Sequence, residues 1–293
     1  MSRKSLLILA TLLICSLSFA QHLPTAGKGF VPAMSEAQNA AAGIAQKNMV
    51  AGASPAATSA CSWTFTSPQT ATNKYLQFCV TANGNIVEFQ SPSGVEYIRV
   101  GAFSEGYGVC DLTSGVKYFD YADSGDSGNW LAPGPPVFTP TSVKITRTTS
   151  DGIWTLIQTI SINKTAASAN VTMALKNNTL VGRAAEIVRF ADIDVGGTFT
   201  NNFDGTLDSA WGYNRISGPT SPDYGLLLQL NGPTPFSHEG FAINTPVGPD
   251  PCNSAANWAG TLTGVDGGIV YWQYLGTVAN GATKTVKEKY TAF

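Results

Sequence analysis

Four aspartates, Asp192, Asp194, Asp204 and Asp208, fall within the stretch RFADIDVGGTFTNNFDGTLDSAWGYN, with Asn201 and Asn202 between them. Oxygen-bearing side chains at this density suit a hard cation such as calcium (Ca2+), which takes about six to eight oxygen ligands. Alternation along AAEIVRFADIDV puts Val188, Phe190, Asp192 and Asp194 on one face and Arg189 on the other. Two apolar core positions are thus followed by two carboxylates on the same side. Ionised carboxylates are too costly to bury unpaired, so either the strand leaves the core there or a cation compensates. The expected ligand set is Asp192, Asp194, Asp204 and Asp208. It competes with a plainer reading, in which these side chains bond nearby turn amides or pair with Arg183, Arg189 or Arg215, and with catalysis by a pair of these carboxylates. The spacing is not that of an EF-hand loop, because Gly196 stands where a third oxygen ligand is needed. A second acidic stretch, FDYADSGDSGNW, offers Asp120, Asp123, Asp126 and Asn129 to a calcium ion but, lacking the alternation of a known loop motif, reads as a solvated surface loop.

His238, beside Glu239 in PFSHEGFAI, offers an imidazole and a carboxylate for general acid–base work. In an extended segment, however, consecutive side chains point to opposite faces, which separates the two unless a turn or bulge intervenes. His238 and Glu239 are therefore weak catalytic candidates, and no G-x-S-x-G elbow supports nucleophilic catalysis. Trp211, Tyr213, Trp258 and Trp272 lie in or near Gly-, Asn- and Asp-rich stretches rather than in the most apolar runs, and Tyr274 shares a strand face with Trp272. Such rings can serve as platforms for a sugar face, although large aromatics more often fill β-protein cores.

The elements that must position these residues are strands. KYLQFCVTANGNIVEFQS carries two alternating runs joined at Asn83-Gly84, a strong hairpin signal. A meander from residue 141 to 178 turns at Asp151-Gly152 and again near Thr165 to Ser168. Trp154, Leu156, Ile160 and Ile162 share one of its faces, and Val171, Met173 and Leu175 repeat the period on the next strand. A final hairpin turns at Asn280-Gly281. No segment after residue 60 keeps a helical period over three turns. The expected fold is all-β, a large antiparallel β-sandwich over residues 61–293, with a possible sub-boundary at LAPGPPVFTP near 131–141. In size this supersandwich-like architecture resembles the enlarged sandwich of aldose-epimerase-like and polysaccharide-processing enzymes. That likeness comes without matching catalytic residues, and fold does not imply function.

Arg3 and Lys4, the apolar run Leu6 to Ile14, and small residues at Ser18 and Ala20 read as a signal peptide over residues 1–20. Residues 21–60, rich in Ala, are expected to be a partly helical or disordered linker or pro-segment. No later run is long and apolar enough to span a bilayer as a helix. Four cysteines then remain, Cys61, Cys79, Cys110 and Cys252. An even count in an exported chain favours two disulfides. Of the three pairings, Cys61 with Cys79 and Cys110 with Cys252 is expected, because the first two sit on strands that should be neighbours. A net charge of −2 with only 12% charged residues argues against a nucleic-acid partner.

The reading that results is an exported, non-catalytic protein of the cell surface, extracellular space or periplasm. It would bind a glycan or another surface component. The alternatives are a carbohydrate-active enzyme, aldose-epimerase-like or polysaccharide-processing, and a structural surface protein that self-associates through a strand edge.

Overall fold

The computed structural model describes residues 60–98, 104–216 and 222–293. The expected signal peptide and all but the last residue of the 21–60 segment lie outside them. A three-stranded sheet has the order β1 (Cys61–Ser67), β2 (Leu76–Thr81) and β3 (Ile86–Gln90). A six-stranded sheet runs β15 (Trp258–Ala259), β14 (Ser237–Ile243), β17 (Gly268–Val278), β10 (Arg183–Asp192), β4 (Glu105–Asp111) and β5 (Val116–Asp120). A nine-stranded sheet begins with β16 (Leu262–Val265), β11 (Asn201–Thr206), β12 (Ser209–Arg215) and β13 (Asp223–Leu230). It continues through β18 (Thr283–Ala292), β9 (Ser168–Asn177), β8 (Trp154–Asn163), β7 (Ser142–Thr148) and β6 (Val137–Thr139). Every strand pairing is antiparallel, and the described residues contain no α-helix. The chain is an all-β sandwich. Nor does any described helix have the length and apolarity to cross a membrane.

The hairpins close where Gly can take positive φ, as at Gly84, Gly152 and Gly281. Alternation then sorts side chains between faces. Trp154, Leu156 and Ile160 of β8 meet Val171, Met173 and Leu175 of β9 in the core between the sheets, joined by Ile187, Ala191 and Tyr271 from the six-stranded side. Two disulfides, Cys61–Cys79 and Cys110–Cys252, staple the structure. The first links neighbouring strands β1 and β2. The second ties β4 to the segment after β14. Such bonds suit an oxidising compartment.

The sense of β10 is the reverse of the sequence expectation. Val188 and Phe190 do not face the main core; they join Tyr121, Phe241, Ile243 and Val270 in a smaller cluster on the outer side of the six-stranded sheet. Arg189 is the residue that points between the sheets, and it is fully buried. Its Nε donates to Glu105 Oε1 at 2.6 Å, its Nη1 to Gln158 Oε1 at 2.8 Å and its Nη2 to the Gly84 carbonyl at 3.3 Å. Tyr290 Oη also donates to Glu105 Oε1, at 2.8 Å. The Asn83-Gly84 turn therefore lies inside the core and supplies carbonyls there, including one to Tyr107 Oη at 2.9 Å. A buried charge is tolerable when its partners are all present.

FDYADSGDSGNW also departs from expectation. Asp120 and Asp126 are buried rather than solvated. Arg147 reaches Asp120 at 2.6 Å and Asp126 at 3.7 Å, and its guanidinium lies over the Trp130 ring. Burial, then repulsion from Asp120, raises the Asp126 carboxyl to about 6.

Candidate functional site

The outer face of the six-stranded sheet can be followed row by row from its register. Ser237, Tyr274, Glu186 and Cys110 lie opposite one another on β14, β17, β10 and β4. The next row is Glu239, Trp272, Val188 and Gly108. The third is Phe241, Val270, Phe190 and Gly106. Residues directly opposite share a face, so these three rows form one surface. The segment after β14 covers part of it. Tyr121 Oη donates to the Pro249 carbonyl at 2.9 Å, and Pro251 sits over Gly108, where a Cβ would come within 2.8 Å of it. Beyond that cover only the β14 and β17 members of the first two rows emerge: Ser237, Glu239 and Tyr274 are exposed and Trp272 is half-buried, while Glu186, Val188 and Cys110 stay buried.

At the open end Trp272 and Tyr274 stand two residues apart on β17, with ring centroids 6.5 Å apart and planes inclined by 13°. Tyr274 is 40% exposed and Trp272 is half-buried. Carboxylates flank them from the neighbouring strands, Glu186 on β10 and Glu239 on β14. Burial raises the Glu186 carboxyl; a hydrogen bond from Trp272 opposes this and Asp250 adds to it. Burial also raises Glu239. Asp250 is held beside this row by an ion pair with Lys117 and by the Cys110–Cys252 bond two residues on. Two near-parallel rings bordered by hydrogen-bond acceptors can hold a flat, hydroxyl-rich molecule, apolar contact coming from the rings and orientation from the carboxylates.

The other aromatics selected from sequence do not all join this platform. Trp258, 44% exposed, lies opposite Ile243 on the same sheet, past the covered rows. Trp211 and Tyr213 belong to β12 of the nine-stranded sheet, half-buried opposite Asp204 and Asn202. His238 and Glu239 point to opposite faces, as extended backbone requires. Glu239 lies opposite Trp272 outside, whereas His238 lies opposite Gln273 inside, its ring 6.2 Å from that of Tyr271. His238 Nδ1 contacts the Phe236 carbonyl at 2.7 Å and Nε2 contacts Asp208 Oδ1 at 2.9 Å. The result is an orienting contact between β14 and the β11–β12 turn, with no shared pocket for His238 and Glu239.

The four aspartates also separate. Asp208 is in that turn, and Asp204 Oδ1 accepts from the Gly205 amide at 2.8 Å. Asp192 and Asp194 remain together and are joined by Asp266, which just precedes β17; one carboxylate oxygen from each of the three lies within 4.8 Å of the others. Asp192 at the end of β10 lies opposite Gly268, which brings Asp266 close. Neither Asp266 nor Glu186 is marked by its local sequence. Glu186 was nonetheless readable as an extension of the Val188–Phe190 alternation.

No family model and no curated protein matches this chain. Among solved structures, a bacterial glucoamylase complexed with acarbose aligns at 12% identity and a TM-score of 0.48, over 83% of this chain and 34% of its own. A polysaccharide lyase aligns at 10% identity and 0.45, over 76% of this chain and 33% of its own. A galactose mutarotase related enzyme from Lactobacillus acidophilus aligns at 8% identity and 0.41, over 79% of this chain and 97% of its own. The chain thus spans about a third of the first two. Scores and identities this low assign neither family nor activity.

Proposed function

We propose that this is an exported, non-catalytic protein that binds a neutral glycan on the open end of the six-stranded sheet. The observation that carries the reading is the Trp272–Tyr274 pair, near-parallel and accessible, set between Glu186 and Glu239. The rings supply the stacking surface, the exposed Glu239 carboxylate accepts from sugar hydroxyls, and buried Glu186 accepts from Trp272 and holds its ring in place. The same acids, with Asp250 nearby, repel sulfated or uronate-rich polymers, so the preferred ligand is uncharged. Catalysis has less support, because the one histidine among the described residues faces the core side and shares no pocket with Glu239.

The test is pull-down on insoluble neutral polysaccharides, with titration of soluble fragments, for the unaltered chain and for Trp272→Ala and Tyr274→Ala. Loss of at least about tenfold in affinity on removing either ring is expected, a typical effect for an aromatic anchor. Trp211→Ala, on the other sheet, should bind like the unaltered chain. Binding that survives Trp272→Ala and Tyr274→Ala together, or that prefers anionic polymers, would refute this reading.

A further inference from the structure

We propose that Asp192, Asp194 and Asp266 bind a calcium ion that clamps the end of β10 to the turn entering β17. The site is independent of the glycan platform and lies about 20 Å along β10 from Glu186, at roughly 3.3 Å per residue.

Three observations carry the proposal. The carboxylate oxygens lie within 4.8 Å of one another. Two oxygens bound to one calcium at about 2.3–2.6 Å can be at most about 5 Å apart, so the separation is admissible. Asp192 and Asp194 are only 7% and 2% exposed, yet Asp192 Oδ1 and Asp194 Oδ1 have no hydrogen-bonding partner. An orphaned, buried carboxylate oxygen carries a large desolvation cost, which a cation removes.

The third observation is a contrast within the molecule. Three other buried acids each have a guanidinium: Glu105 has Arg189, Asp120 has Arg147 and Asp111 has Arg183. The charged groups gathered around Asp192 and Asp194 are instead each other and Asp266. The donor set selects the ion. Oxygen ligands without His or Cys disfavour zinc and copper. Magnesium keeps several of its waters, whereas a buried cluster of three carboxylates suits the larger, more readily dehydrated calcium. The rival arrangement, in which the aspartates share protons and bind no metal, predicts a different response to calcium.

The experiment compares melting and calorimetric titration of the disulfide-bonded chain in chelator, in calcium and in magnesium. Calcium at about a hundredfold excess over its Kd should raise Tm by roughly 5–10 °C, since it binds only the native state. Asp194→Asn and Asp266→Asn should each weaken calcium binding at least about tenfold. Asp204→Asn and Asp208→Asn should leave it unchanged. Asp266, the most exposed of the three, keeps the test open should the Asp194 variant fail to fold. No heat and no Tm shift at millimolar calcium would overturn the proposal in favour of shared protons. So would calcium binding that persists in Asp266→Asn, or magnesium binding as tight as calcium.

Discussion

Glu288 offers a direct measure of how this core manages an acid. Fully buried on β18, its Oε1 accepts from Gln273 Nε2 at 2.9 Å, while Glu288 Oε2 and Gln273 Oε1 lack hydrogen-bonding partners. Burial is the largest influence and raises the carboxyl from its ordinary 4.5 to about 7, against the opposing pull of Gln273 and Arg189. A proton on Oε2 would turn the pair into an acid–amide couple and give Gln273 Oε1 a donor. Because the folded value exceeds the unfolded one, this contribution is fully present below about pH 4.5 and is lost as pH rises through 7. Two and a half pH units at roughly 1.4 kcal/mol each give a total loss of about 3.5 kcal/mol, of which about 3 falls between pH 4.5 and 7.5. Glu288→Gln keeps the shape, supplies an N–H to Gln273 and does not titrate. Urea unfolding of both proteins from pH 4.5 to 7.5 should show the variant gaining about 3 kcal/mol on the unaltered chain across that interval. Taking the difference cancels the remaining titrating groups. A difference that stays flat, or swings the other way, would show that Glu288 is already ionised in the folded core.

Three further outcomes follow from the packing. Arg189→Met should cost about 3–5 kcal/mol in urea unfolding by leaving Glu105 buried without its cation, and adding Glu105→Gln should restore part of it. Removing the Cys110–Cys252 bond, which spans 142 residues, should cost about 5 kcal/mol against about 3 for Cys61–Cys79, which spans 18; thermal unfolding of the two double-alanine variants gives the order. Gly240→Ala would bring a Cβ to 2.2 Å from the Ser209 carbonyl carbon and should destabilise by at least about 2 kcal/mol, whereas Gly260→Ala, with nothing within 4 Å, should change stability by less than about 0.5.

What could be read from the chain alone was what is local. Asn83-Gly84, Asp151-Gly152 and Asn280-Gly281 announce their turns because left-handed backbone favours Gly, whatever lies elsewhere. Period-two alternation announces strands because the pleat enforces it. The parity and placement of the cysteines led to the observed pairing. Alternation distinguishes two faces, however, without saying which one meets the other sheet. Val188 and Phe190 looked like core and Arg189 like surface, because Glu105, Gln158 and the Gly84 carbonyl that accommodate a buried guanidinium are far away in sequence.

The candidate sites divide in the same way. Trp272, Tyr274, Asp192 and Asp194 could be selected by type and spacing within single strands. That Glu186 and Glu239 border the rings, that Asp266 completes the aspartate group, and that Asp204 and Asp208 leave it were decided by which strands lie side by side. Register across a sheet is a long-range property, set when buried faces match, and no short stretch of sequence contains it.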